Sequence, residues 1–420
     1  MKRFLIQIFV FAFIGCTALA QDNAYINVTF FGSSVCRGAG AEDNHGYGWQ
    51  LFNNGAIDTV KYKYFNSSTG GDNTIKVEKE DRIADKLYPT EPDIVVIGLS
   101  LANEGIRNPQ NDNGREQIVE QFRTRLLAMA DSLNSMGIRP VIVNCYAHSY
   151  FNKAQYDFTK KMNRIINTWK YPSINVLGTI DDLEGKWVEG YVADPGHPNT
   201  VGHQEMSYAI VPSLFDAILL GKKTPVLDWH KSYSTLVNNN KIEHPLSFEV
   251  ESTMHSFTLS FRFKESGEGS IAGFVSDNLN HSLNLKGHTV HYKDLSIIYP
   301  KHLKTWTHVV LSHSYANQKT MLFVNGELVG SVMEQLSPTK VYFGGTASMT
   351  ELKDLTLHRS SLNESEALDL FNKKFIQSSL EFYNPLTNSV KGKDLQNYAQ
   401  SLTMLKIDTQ VVVRHNAIDF

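Results

Sequence analysis

Near residue 220 the hydrophobic period of this chain changes, and that change constrains the fold more than any other feature. From about residue 25 to 220, short β-branched and aromatic runs alternate with stretches whose apolar side chains recur every three or four positions. Ile26-Asn27-Val28-Thr29-Phe30-Phe31 reads as a strand ending at Gly32. Asp93-Ile94-Val95-Val96-Ile97-Gly98 is the unbroken apolar run that a strand buried on both faces requires. Ile118, Phe122, Leu126, Met129, Leu133 and Met136 mark one face of a helix, Gly137 its stop, and Pro140-Val141-Ile142-Val143 the next strand. A helix over about 153–169, a strand at Ile174-Asn175-Val176-Leu177 and a last helix over about 202–219 complete the unit. Such alternation predicts an α/β unit with a parallel sheet covered on both faces, its functional residues gathered at the strands' carboxyl ends. Gly32, Asn103 and the loop after Cys145 fall on that edge.

Beyond residue 220 the pattern becomes one of strands. The stretch 221–245 is polar and turn-rich (Gly221-Lys222-Lys223-Thr224-Pro225, then Asn238-Asn239-Asn240-Lys241) and reads as a linker. After it come alternating runs such as Phe257-Thr258-Leu259-Ser260-Phe261-Arg262-Phe263 and Thr307-His308-Val309-Val310-Leu311-Ser312. Met321-Leu322-Phe323-Val324 meets Asn325-Gly326, a hairpin turn signal, before Glu327-Leu328-Val329. Residues 246–420 are therefore expected to form an antiparallel β-sandwich with a C-terminal tail. A chain of 420 residues has the length for two such units.

The N-terminus carries Lys2 and Arg3, an apolar run from Phe4 to Ile14, and Ala18-Leu19-Ala20 before Gln21. That order predicts an export signal over residues 1–20. Lipoprotein anchoring at Cys16 is the rival reading, disfavoured because Phe13 replaces the aliphatic residue such a motif prefers. The expected location is periplasmic, secreted or cell-surface, without a transmembrane span. A net charge of -3 gives no electrostatic reason to expect nucleic acid. The 15 histidines show no paired metal-ligand spacing, so neither a metal nor another cofactor is expected. Cys36 and Cys145 would remain after signal removal, either as one disulfide or as two small buried side chains.

The chemistry-bearing residues lie far apart in sequence. Asp194-Pro195-Gly196-His197 places a carboxylate where it can orient an imidazole within one tight loop, and Ser34 follows a glycine turn directly after a hydrophobic strand. A serine, a histidine and a carboxylate so disposed predict nucleophilic acyl transfer. With these blocks in view, residues 25 to 220 resemble the SGNH/GDSL hydrolase family. The first block stands here as Gly32-Ser33-Ser34, with Ser33 in place of the family's aspartate. The second resembles Asn66-Ser67-Ser68-Thr69-Gly70-Gly71-Asp72-Asn73-Thr74. The third, Gly98-Leu99-Ser100-Leu101-Ala102-Asn103-Glu104, departs from the family by an inserted residue. The last, Asp194-x-x-His197-Pro198-Asn199-x-x-Gly202-His203, is the most specific.

The resemblance implies a flavodoxin-like three-layer fold over 21–220. It implies Ser34 as nucleophile, His197 as general base and Asp194 as its partner. The oxyanion hole would be made by the N–H groups of Ser34 and Gly71 and the Asn103 amide, and His203 would be structural. Asp72 and Glu104 are expected to orient loops. Trp187, just before the catalytic loop, is placed either to stack on a sugar or to pack internally. Trp306-Thr307-His308-Val309-Val310, Leu322-Phe323-Val324-Asn325-Gly326-Glu327 and the stretch Leu352 to Glu366 resemble concanavalin A-like, laminin-G-type jelly rolls, which implies glycan contact or a packing role. Together these readings lead to an exported esterase that removes acetyl or other small acyl groups from a polysaccharide. The alternatives are a lipase or lysophospholipase, and a glycan-binding protein with a degenerate hydrolase domain.

Overall fold

The computed structural model of the protein describes residues 25–225, 233–298, 305–386 and 394–416. The expected export signal and Cys16 lie outside the described residues. Five parallel strands form the first unit: β1 (Ile26–Gly32), β2 (Tyr62–Asn66), β3 (Ile94–Gly98), β4 (Arg139–Val143) and β5 (Ser173–Ile174). Their spatial order is β2-β1-β3-β4-β5, the flavodoxin-like order expected, with register pairs such as Gly32 opposite Gly98. Successive side chains serve opposite faces, as strand geometry requires. Ile94 and Val96 pack with Val28, Phe30, Leu51 and Phe215 on one face, and Val95 and Ile97 with Phe122, Leu126 and Leu133 on the other.

The helix Asp112–Ser135 starts where the Asn111 side chain accepts the Gly114 N–H, and it buries Phe122, Leu126 and Leu133 against the sheet. Met136, expected on that face, lies past the helix end and is 48% exposed. The helix Lys153–Ile166 opens on a capping box formed by Asn152 and Gln155. The single helix expected over 202–219 is two, Thr200–Tyr208 and Leu214–Leu219, because Pro212 cannot supply the N–H that a continuous helix needs. The strand expected at 174–177 ends at Ile174, and Leu177–Ile180 turns into helix. Cys36 and Cys145 are free and buried, in the hydrophobic clusters on opposite faces of the sheet, so no disulfide joins them.

The second unit is an antiparallel β-sandwich with two sheets of eight strands among the described residues. One is centred on Phe257–Ser266, flanked by Thr307–Ser314 and Met349–His358. The other is centred on Gly269–Ser276, flanked by Leu279–Lys286 and Pro338–Phe343. Phe257, Phe261, Phe274, Phe343 and Phe382 fill the space between them. The expected hairpin is present: Asn325 and Gly326 have φ of 52° and 84°, the left-handed pair a two-residue turn requires. The stretch read as a linker is partly structural. Tyr233–Val237 pairs with Met349–His358 and with Val412–Asn416, and its alternate residue Leu236 is buried in the sandwich core. Short polar flanks conceal such a strand, because its support comes from distant partners.

The two units share a polar seam. The segment Gln377–Ser379 covers the open edge of β5: Ser379 N–H donates to Ser173 O (2.9 Å), and its hydroxyl accepts the Asn175 N–H (2.7 Å). Gln377 Nε2 donates to the carbonyls of Trp169 and Tyr171, while Asn167 Oδ1 accepts the N–H groups of Gln377 and Ser378. Gly178 lies so close to Ser361 that a Cβ would stand 2.1 Å from the Ser361 carbonyl oxygen. Arg359 and Glu381, both wholly buried, form an ion pair at 2.6 Å, and Arg359 Nε also donates to Tyr208 O in the first unit. A cleft of about 1160 Å³ opens beside this seam at the amino-terminal end of β4, lined by Arg139, Tyr171, Lys222 and Phe375 among others. Among the described residues no helix is long and apolar enough to cross a membrane.

Candidate active site

β1 ends where the chain can go no further straight. A Cβ on Gly32 would lie 2.2 Å from the Gly98 carbonyl oxygen, so only glycine fits between β1 and β3. Ser33 is extended and wholly buried, its hydroxyl 3.3 Å from that of Tyr146. Ser33 is thus turned into the fold. Ser34 then opens the single helical turn Ser34–Arg37, a start that leaves its N–H without a carbonyl acceptor.

The histidine and its carboxylate come from a small antiparallel pair, β6 (Val192–Asp194) and β7 (His197–Pro198). Asp194 Oδ1 accepts the Gly196 N–H at 2.7 Å, which closes the loop on itself. The His197 Nδ1 atom lies 2.9 Å and 3.1 Å from the two Asp194 oxygens, and Nε2 lies 3.0 Å from Ser34 Oγ. The three side chains expected to act together therefore form one hydrogen-bonded chain across the carboxyl edge of the sheet. Partial burial works against ionisation of Asp194, but the hydrogen bonds from His197 and Gly196 outweigh it and hold the carboxyl below its usual range.

Two residues hold this loop against the serine turn. Gly40 has φ +93°, and a Cβ there would stand 2.2 Å from Pro198 O and 2.9 Å from His197 Cβ. His203 is wholly buried and its Nε2 donates to Ala39 O at 3.1 Å. Burial pushes the His203 imidazole down to about 4, so it is neutral when it makes that bond. His203 is structural, as expected. Gly40 was not singled out in the sequence, although the Gly38-Ala39-Gly40 run just after Ser34 was the available signal.

Gly71 sits on the loop after β2, and Asn103 in the single helical turn Leu101–Glu104 after β3. The Gly71 loop is fastened to the serine turn, since Thr69 N–H donates to Gly32 O and the Asn66 amide to Cys36 O and Arg37 O. Gly71 itself is left-handed (φ +76°), and no backbone acceptor among the described residues takes its N–H. Asn103 Nδ2 donates one proton to Asp72 O (3.0 Å), while Asn73 Nδ2 donates to Asn103 O (2.9 Å). The Glu104 carboxylate accepts the Thr74 N–H, and Arg82 pairs with Asp72. Burial raises the pKa of both Asp72 and Glu104. These acids join the two loops, the orienting role expected of them.

The loop after β4 brings His148, expected from the sequence to be a satisfied structural histidine, to the edge of the site. His148 is nearly buried, stacked on Trp187 at 4.9 Å, and its Nε2 has no hydrogen-bond partner among the described residues. Burial, then the neighbouring His197 and Arg107, push it down to about 3. Trp187 is 5% exposed and packs in the core, which decides its role against sugar stacking. Among the described residues no cluster of His, Cys, Asp and Glu could hold a metal ion.

No protein-family model matches the chain, and no curated protein matches it. Among solved structures the chain is similar to TesA, at 18% identity over 43% of this chain and 93% of that one, with a TM-score of 0.34. It is also similar to an acetylxylan esterase from Geobacillus stearothermophilus, at 11% identity over 43% of this chain and 90% of that one, TM-score 0.33. A third likeness is to an SAP-like pentraxin from Limulus polyphemus, at 16% identity over 46% of this chain and 99% of that one, TM-score 0.31.

Proposed function

We propose that the protein is a serine ester hydrolase that removes acetyl or another small acyl group from carbohydrate. The observation that carries this reading is the chain Asp194–His197–Ser34, at 2.9 Å and 3.0 Å, on the open carboxyl edge of the sheet. In this reading His197 Nε2 takes the Ser34 hydroxyl proton as Oγ attacks the ester carbonyl carbon. Asp194 holds the ring in the required tautomer and stabilises the imidazolium. Charge developing on the carbonyl oxygen is met by the N–H groups of Ser34 and Gly71 and the Asn103 amide proton not given to Asp72, each such donor contributing about 3 kcal/mol to transition-state stabilisation. The imidazolium then protonates the departing sugar hydroxyl. Water, losing its proton to His197, attacks the acyl-enzyme and releases the carboxylic acid with Ser34 restored.

The carbohydrate reading is supported by a sandwich of lectin-like sequence pattern held against the hydrolase unit, and by the N-terminal signal pattern. The test is hydrolysis of 4-nitrophenyl acetate and octanoate, with acetate release from acetylated polysaccharides. The expected result is acetate preferred, polysaccharide deacetylated, and both activities abolished by Ser34→Ala. Octanoate preference would point to a lipase, and full activity in Ser34→Ala would overturn the mechanism.

A further inference from the structure

Two loops at the carboxyl edge, after β3 and after β4, meet beside the Asp194–His197 loop and bring together a cation and an aromatic ring. Arg107, four positions after Asn103, lies with its guanidinium carbon 4.7 Å from the Tyr150 ring centroid. Both residues face solvent, Tyr150 at 52% exposure. The Tyr150 loop is tied to the His197 loop, since Ser149 N–H donates to Pro195 O at 3.0 Å. The ring borders that loop directly: Tyr150 Cε2 stands 3.6 Å from where a Cβ on Gly196 would be. The pair thus forms a ledge at the lip of the Ser34 site.

The chemistry of this ledge is specific. Arg107 is in no ion pair among the described residues and lies against the tyrosine ring. The planar guanidinium fork matches a carboxylate or sulfate in two parallel hydrogen bonds, and the Tyr150 face offers a surface for a sugar ring.

We propose that Arg107 and Tyr150 form a subsite for an acidic sugar, a ring bearing a carboxylate or sulfate, adjacent to the ester that Ser34 attacks. The inference deepens the ester-hydrolase reading and rests on it for the position of the scissile bond. The experiment compares kcat and KM of wild type, Arg107→Gln and Tyr150→Ala on acetylated methyl galacturonoside, an acetylated sulfated monosaccharide, acetylated methyl glucoside and 4-nitrophenyl acetate. For Arg107→Gln, kcat/KM on the acidic substrates should fall about tenfold or more, mainly through KM, as the loss of one charged bidentate contact implies. The two neutral esters should change less than about twofold, which separates a subsite from a structural role. Rising salt should weaken the acidic substrates selectively. The carboxylate and sulfate arms decide which anion fits better.

Equal losses on all four esters, or no acidic preference in wild type, would overturn the subsite. A protein inert on every ester would instead sink the hydrolase reading. The subsite is then judged by direct binding of methyl galacturonoside to Ser34→Ala, with and without Arg107→Gln: loss of binding in the double variant supports it, and equal binding overturns it.

Discussion

At the carboxyl edge of the parallel sheet the Asp194 side chain is 51% exposed and that of His197 30% exposed, whereas at the seam Arg359 and Glu381 are both wholly buried. The edge is held by a few hydrogen bonds within and between loops. The seam is held by side chains whose partners lie in the other unit, including Arg164 to Asp369, Asn167 to Gln377 and Ser378, and His255 to Glu205. Buried polar groups that lose a partner pay a desolvation penalty, so the seam cannot loosen by degrees. The edge can, since water can replace what a loop lets go. The sandwich is also joined to the element behind the catalytic loop, since Arg359 bonds Tyr208 at the end of the helix that begins just after His197.

Four substitutions separate the chemistry of the edge from the structural role of the seam. Ser34→Ala should reduce kcat/KM on short esters by about four orders of magnitude, with the unfolding midpoint unchanged; a parallel drop in thermal stability would show that the edge carries fold as well as chemistry. Glu381→Ala leaves a buried guanidinium uncompensated and should destabilise the chain by about 3–5 kcal/mol. Denaturant unfolding should remain one cooperative transition, and two separated transitions would show that the seam does not couple the units. Asn103→Ala should lower kcat about a hundredfold or more with KM little changed, and a KM effect alone would remove Asn103 from the oxyanion role.

The smallest effect concerns pH. His203 is held near 4 by burial against an ordinary value of 6.5, so the unfolded chain binds its proton first. Its contribution to stability is therefore fully present above pH 6.5 and is lost as pH falls toward 4, by at most about 3 kcal/mol. A His203→Gln variant should show a shallower loss of stability over that window in thermal unfolding at stepped pH. An unchanged slope would mean that His203 is not held neutral by the fold.

The residues that were legible in sequence are those whose chemistry and geometry are local. Asp194 and His197 share a four-residue loop, Ser34 follows a strand directly, and Asn325-Gly326 can make only a tight turn. The parallel sheet of the first unit followed from period, because strands buried on both faces cannot hide their pattern, whereas its flavodoxin-like order came from the family resemblance. What escaped is set by distant contacts. Gly40 matters because Pro198 passes over it, and Arg107 and Tyr150 matter because two loops meet. Tyr233–Val237 reads as linker until Met349–His358 and Val412–Asn416 are placed on either side of it. The seam was the least legible, since Asn167, Gln377 and Ser378 have the composition of exposed loops and are buried by one another.

The pairing of Tyr233–Val237 with Val412–Asn416 also has a bearing on how the chain is made. Asn416 bonds Thr235 across 181 positions of sequence, so this sheet cannot close until nearly all of the sandwich has left the ribosome. The edge of β5 likewise waits for Gln377–Ser379, since Ser173 meets Ser378 across 205 positions, and until that segment arrives the nascent first unit presents a bare edge and unmatched polar groups. Synthesis thus produces an intermediate with a ready strand template exposed, and a chaperone that shields that edge would raise the yield of folded protein.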